Sequence, residues 1–216
     1  MITINLKKDL KAYYQPPVKR IEIIQIPRFT FLMIDGAIEK GQVPDSSSEF
    51  QETTGALYGA AYTLKFMLKK RTRNPLDYPV MALEGLWDTR DGGFDIRVKD
   101  NWLFTMMILV PDRVTSGEFD DAIDLMRKKK GDQPAFARLR LDRYAEGLVV
   151  QATHVGPYAT EPETLDRMRS FLEEEGYRDL VGVGGKHHEI YLGDPRKSAP
   201  DKLKTILRHP VARRGA

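Results

Sequence analysis

The sequence predicts an α+β fold made by duplication. A β-β-α-β-β module is written twice, giving two amphipathic helices on antiparallel sheet and a ligand cleft between pseudo-symmetric halves. Two observations of pattern predict it: strand-like and helix-like runs follow the same order over about residues 18–130 and 135–212, and each half places a capping signal and an apolar helical stripe between β-rich runs. A third is compositional. At 216 residues, 41% hydrophobic and 30% charged, the chain is long enough and apolar enough to bury a real core.

Residues 1–17 are expected to form an N-terminal extension to a domain over 18–216. In the first half, "RIEIIQIP" and "RFTFLMID" read as two successive strands broken at Pro27. A helix over 46–71 opens on the capping box Ser48-x-x-Gln51 and carries Phe50, Leu57, Ala61, Leu64 and Leu68 at helical spacing. "YPVMALEGLWD" at 78–88 and "NWLFTMMILVP" at 101–111 are the next strands, joined by "TRDGGFDIRVKD", which is rich in turn signals and partly extended. A second helix is expected near 116–130. Its Lys128, Lys129 and Lys130 fit a helix C-terminus, where cations meet the carbonyl end of the dipole.

The second half repeats the order. "AFARLRLDRY" and "GLVVQATHV" within 135–155 read as consecutive strands, and Thr160-x-x-Glu163 forms a capping box before Leu165, Met168, Phe171 and Leu172 on a helix that ends at Gly176. "HHEIYL" and "TILRHPV" close the half, with a short helical turn around 200–203 between them. "GPY" at 156–158 and "GDPRK" at 193–197 are helix-entry and strand-exit turns.

Several classes of function are disfavoured by composition. The net charge of +3 comes from 34 basic and 31 acidic residues spread along the chain, and no aromatic residues interleave with the lysine run, so no nucleic-acid partner is expected. Without cysteine there are no disulfides or thiolate metal sites, which fits a reducing cytoplasm. No apolar run approaches the roughly 20 residues of a membrane span, and the first residues lack a signal-peptide core, so a cytosolic protein with no membrane partner is expected. The 17 residues before Val18 are too few for a helix-turn-helix, which argues against a regulator acting in cis.

The chemistry centres on two matching strands, "LEGLWD" and "HHEIYLGD", each with a glutamate and an aromatic residue and each ending at an aspartate. Laying glutamate on glutamate makes Glu84 the counterpart of Glu189. Alternation puts His187, Glu189 and Tyr191 on one face and His188, Ile190 and Leu192 on the other. If Ile190 and Leu192 face the helix, Glu189 and Tyr191 face away from it; alternation alone leaves open whether that face meets solvent or a groove. Neighbouring histidines facing opposite ways do not hold one ion, so no metal is expected at His187 and His188. Tyr58 and Tyr62 stand four apart on the long helix, and Trp87, Trp102 and Tyr191 supply further rings. Rings around a carboxylate favour flat or cationic organic molecules through stacking, cation–π attraction and charge pairing.

"FQETTGALYGAAYTLKFMLKK", "YPVMALEGLWD", "GLVVQATHVGPY" and "HHEIYLGDPRKSAPDKLKTILRHPV" resemble the DNA gyrase inhibitor-like, or GyrI-like, small-molecule-binding proteins, from about Val18 to Val211. The similarity is to the stand-alone bacterial branch that includes cyclopropanoid cyclopropyl hydrolases. It implies a duplicated module with a cleft between its halves, a planar aromatic or cationic small molecule as partner, and no cofactor. It implies Glu189 as the acidic cleft residue and Tyr58 and Trp87 as lining rings; Glu189 and Tyr58 are then candidates for catalysis, and Trp87, Tyr62, Trp102, Tyr191, His187 and Glu84 for ligand binding. Hydrolysis of an electrophilic cyclopropanoid DNA alkylator is the implied activity. A sequestering protein without turnover is the alternative, and a gyrase-inhibiting interaction protein fits the net positive charge poorly.

Overall fold

The computed structural model describes residues 1–97 and 101–215. In chain order the elements are β1 (Ile2–Thr3), α1 (Leu6–Asp9), α2 (Lys11–Tyr14), β2 (Glu22–Ala37), α3 (Ser48–Lys70), β3 (Leu76–Asp77), β4 (Leu83–Thr89), β5 (Trp102–Val110), α4 (Ser116–Lys130), α5 (Pro134–Arg138), β6 (Arg140–Val155), α6 (Glu161–Glu174), β7 (Tyr177–Asp179), β8 (His187–Tyr191) and β9 (Lys204–Arg213). The α+β class is as the sequence predicts. The main sheet runs β6-β2-β5-β4-β8-β9-β7, and β6 pairs β9 as well, so the sheet closes on itself like a barrel. One half contributes β2-β5-β4 and the other β6-β9-β8; they meet at two antiparallel seams, β2 with β6 and β4 with β8.

Counting the strands that close the sheet, each half is β-α-β-β rather than β-β-α-β-β, because the paired opening runs merge. Pro27 does not break β2: its neighbours Ile26 and Arg28 pair with Gly147 and Ala145, and the ladder continues past the one missing donor. In the second half Pro134 starts α5, where its missing N–H costs nothing. From Arg140 a single strand then passes through Gly147, whose φ of 82° accommodates a bend that a side chain would resist. The turn-rich segment expected to be partly extended forms turns and bends without strand over 90–97, and 98–100 lie outside the described residues.

Two caps differ from expectation. The N-cap of α3 is Ser47, one residue before Ser48, and its hydroxyl accepts from the Phe50 amide at 3.3 Å. Thr160 does stand at the N-cap of α6, but its hydroxyl bonds the Pro157 carbonyl at 2.9 Å and lies 3.2 Å from His154 Nε2, so it makes no side-chain cap. The α4 helix ends as predicted, with Arg127 to Lys130 in its last turn and Gly131 beyond it at φ 77°.

The position of the helices decides the site. Phe50 of α3 stacks on Trp87 at 5.8 Å, and Thr164 of α6 hydrogen-bonds His154 at 2.9 Å. Trp87 pairs with His187, and His154 with Thr205, which pairs with Tyr191. Both helices therefore cover the face that carries His187, Glu189 and Tyr191. The case in which Ile190 faces the helix does not hold: Ile190, fully buried, lies with His188 on the other face, and Leu192 falls beyond the end of β8 at 39% exposure. The closed sheet has a buried interior of its own, a destination that alternation does not distinguish from a helix-covered face. Residues 1–17 pack against the fold, with β1 parallel to β3 and both Leu6 and Tyr14 buried.

Candidate functional site

Gly85 lies directly opposite Glu189 in the β4–β8 ladder, flanked by the pairs Trp87 with His187 and Leu83 with Tyr191. A Cβ on Gly85 would meet Trp87 Nε1 at 2.8 Å, so the glycine lets the indole lie down beside Glu189. Trp87 Nε1–H donates to the Tyr191 hydroxyl at 3.0 Å, and Tyr191 hydrogen-bonds Glu189. Burial, then the Glu189 carboxylate, push the Tyr191 phenol well above its ordinary range, so it stays a donor. Glu189 is only 6% exposed. Around it Phe50, Trp102 and Phe104 pack on Trp87, and Tyr158 meets Tyr191 edge-on at 5.9 Å.

On α3, Tyr58, Tyr62 and Phe66 form a stacked stripe with centroids 6.5 and 6.3 Å apart, 37%, 48% and 46% exposed. Burial, Tyr62 and Asp194 raise the Tyr58 phenol, and Arg196 pulls it the other way. Tyr58 therefore feels the charges of the turn that follows β8, and α3 covers the face that carries Glu189. Trp87 and Trp102, by contrast, are 2% and 5% exposed and packed on one another, so both back the site.

Glu84 is not the groove counterpart of Glu189. It pairs with Ile190, one place along the ladder, and therefore lies on the opposite face. A one-residue slip in matching the two motifs flips a side chain through the sheet. There Glu84 accepts from Tyr14 at 2.6 Å and meets His188 Nε2 at 3.1 Å, while His188 Nδ1 reaches Glu146 at 2.9 Å. Arg208 bonds Glu146, Gln151 and the Tyr13 carbonyl. Burial opposes charge on His188, yet Glu146 and Glu84 raise its pKa to about 9; burial likewise opposes Glu146, but His188 and Arg208 hold it below the usual carboxylate range. Two carboxylates and two cations balance in this buried network, whose geometry is structural.

His187 faces the site. Its Nε2 lies 2.9 Å from Glu189 Oε1, and its Nδ1 2.7 Å from His209 Nε2; His209 Nδ1 lies 2.5 Å from Asp179 Oδ2. Phe94 stacks on the His187 ring at 5.2 Å. Burial lowers the His187 pKa, outweighing the pull of Glu189.

A cavity of about 610 Å³ lies elsewhere, on the side of Met33, Leu86, Arg140, Tyr144 and Lys186. Its Arg140 and Glu146 are already engaged, by Asp35 at 2.7 Å and by His188 and Arg208. The face around Glu189 brings a carboxylate and several rings together, the combination that orients a ligand. Among the described residues no group of three or more histidines, aspartates or glutamates is placed to hold a metal ion, and no helix is long and apolar enough to cross a membrane.

Sequence reasoning reached Glu189, Tyr191, Trp87, Tyr58 and His187, which the structure brings to one face. It missed Gly85, Phe50, Phe94, Tyr158, His209 and Asp179. Gly85 carried a usable signal, as the glycine between Glu84 and Leu86 in a strand; the others are joined to the site only by pairing across distant strands or by loop packing.

The family described as the GyrI-like small molecule binding domain matches residues 19–212. No curated protein matches the sequence. Among solved structures, an uncharacterized conserved protein from Listeria innocua is 42% identical, with 97% of this chain and 100% of that one covered and a TM-score of 0.87. A protein described as a hydrolase from Listeria innocua is 40% identical over 97% and 100% of the chains, at 0.82. The EcmrR C-terminal domain, 11% identical over 90% and 98% at a TM-score of 0.54, shares the fold.

Proposed function

Since the chain belongs to the GyrI-like small-molecule-binding family, we propose that it binds flat aromatic or cationic molecules over Glu189, between α3 and α6, and hydrolyses electrophilic cyclopropanoid alkylators there. The observation that carries the reading is a nearly buried carboxylate, 6% exposed, set among Trp87, Tyr191 and their supporting rings on the helix-covered face. The neighbour named a hydrolase, at 40% identity, supports turnover over storage alone. Tyr58 and Tyr62 would stack along one edge of the ligand, and Tyr191, held by the Trp87 indole N–H, would meet its face. Glu84 drops out as a contact and keeps a structural role, and Trp87 and Trp102 back the site.

In a cyclopropane fused to a cyclohexadienone, the water oxygen bonds to the outer ring carbon while the strained C–C bond breaks. Its electron pair passes into the dienone, which becomes a phenolate. Glu189 takes the water proton, and Tyr58, kept protonated by the surroundings that raise its pKa, gives a proton to the phenolate oxygen and recovers one from solvent. The rings stabilise positive character at the attacked carbon. Incubation with a cyclopropanoid substrate and product analysis tests the reading: a ring-opened alcohol from the wild type and none from Glu189→Gln is expected. Dye binding without any turnover would favour the sequestering alternative.

A further inference from the structure

We propose that Asp179, His209 and His187 form a proton relay ending on Glu189, which lets the surface set the protonation state of that carboxylate. The inference rests on the reading of Glu189 as the polar group of the cleft. Its observations are the three contacts in series: 2.5 Å from Asp179 to His209, 2.7 Å from His209 to His187 and 2.9 Å from His187 to Glu189.

Counting protons shows what the series requires. Three contacts need three protons, and two neutral imidazoles bring two. With both carboxylates ionised, one contact would set two lone pairs face to face, so the four groups retain one further proton among them. With that proton on Glu189, His209 Nδ1–H donates to Asp179, His187 Nδ1–H donates to His209 Nε2, and the Glu189 O–H donates to His187 Nε2. One concerted shift moves the Glu189 proton to His187 Nε2, the His187 Nδ1 proton to His209 Nε2, and the His209 Nδ1 proton to Asp179. Each ring receives on one nitrogen and gives from the other, so neither has to turn. The four groups carry one net negative charge before and after. Glu189 ends as a carboxylate, and the proton rests on Asp179, whose side chain is 30% exposed.

The rings are held for this. His187 is fully buried, stacked under Phe94 and edge-on to His209 at 4.9 Å. The other charged or titratable groups facing the series are Tyr191 on β8, Glu161 of α6 beside Tyr191, His154 of β6 toward Glu189, and His188 behind His187; β4 presents only Gly85 and Trp87. Nothing among them offers Glu189 another route through two imidazoles to an exposed carboxylate. A cation arriving at the cleft needs Glu189 ionised, and water attack leaves a proton on it. The shift supplies the first state, and its reverse returns the proton from Asp179 once the cation has left. His187 and His209 are positioning residues in this scheme.

Nitrogen-15 NMR of the histidines in the full chain, followed against pH in wild type, Glu189→Gln and Asp179→Asn, tests the relay without substrate. His187 and His209 are expected to titrate as one coupled unit. Glu189→Gln should move the His209 midpoint by on the order of one pH unit, although the two side chains do not touch, and Asp179→Asn should move the His187 midpoint comparably. Should Glu189→Gln not fold, Asp179→Asn reads the same coupling from the other end. A His209 midpoint unchanged in Glu189→Gln, or a His187 midpoint unchanged in Asp179→Asn, overturns the proposal. In turnover, Asp179→Asn is expected to lower kcat about tenfold and shift its pH profile with KM nearly constant. A wild type without turnover would sink the hydrolytic reading alone, since the titration stands apart from it.

Discussion

At Glu189 the carboxylate has two tasks of different size. Pairing a bound cation in a site with little water makes up part of the affinity, so Glu189→Gln should weaken a planar cationic dye about tenfold in a fluorescence titration. Acting on water is worth more, and the same variant should lose at least about a hundredfold in initial rate. The histidine next to it serves stability. His188 gains its charge in the folded state, with a pKa of about 9 against about 6.5 unfolded. A raised pKa means the stabilisation is fully present below about pH 6.5 and is lost as pH rises through 9, up to about 3 kcal/mol in all. Denaturant midpoints measured between pH 6.5 and 9 should fall accordingly, and His188→Gln should flatten that slope. Alternation had already separated these two residues. What one strand could not reveal was their partners: Glu84 and Glu146 for His188, His209 for His187, each brought by a different strand.

Strand β4 works by leaving something out. Gly85 faces Glu189 and gives Trp87 its place, with Met106 Sδ 3.2 Å from where a Cβ would sit. Gly85→Ala should therefore displace Trp87, cost about 1–3 kcal/mol in thermal or chemical denaturation, and weaken dye binding together with it. Helices were the most legible elements, because 3.6-residue spacing predicts both α3 and the face it buries, Leu57, Leu64 and Leu68 all being inaccessible. Strand ends were harder. Pro27 and the segment around 134–138 look like interruption and strand respectively, and only the ladder to Gly147 and Ala145, or a proline at the start of a short helix, decides otherwise.

For the molecule as a whole, closure of the sheet explains both what the sequence predicted and what it concealed. The duplication and the seam between halves follow from the order of runs. That the sheet curls round so that β6 also meets β9 creates two buried faces, and no periodicity tells which of them Glu189 belongs to. The N-terminal residues complete the inner face: Tyr14 donates to Glu84 and the Tyr13 carbonyl accepts from Arg208. Deleting residues 1–17 should leave those charges short of partners and destabilise the fold by about 3 kcal/mol or more in chemical denaturation, whereas Tyr14→Phe alone should cost about 1–3 kcal/mol. The most direct measurement is a crystal structure with a planar cationic dye, paired with dye affinity in Glu189→Gln. The account predicts density between α3 and α6, stacked on Tyr58 or Tyr62 with its charge toward Glu189. Density confined to the cavity beside Arg140 and Lys186, with an affinity indifferent to Glu189→Gln, would contradict it.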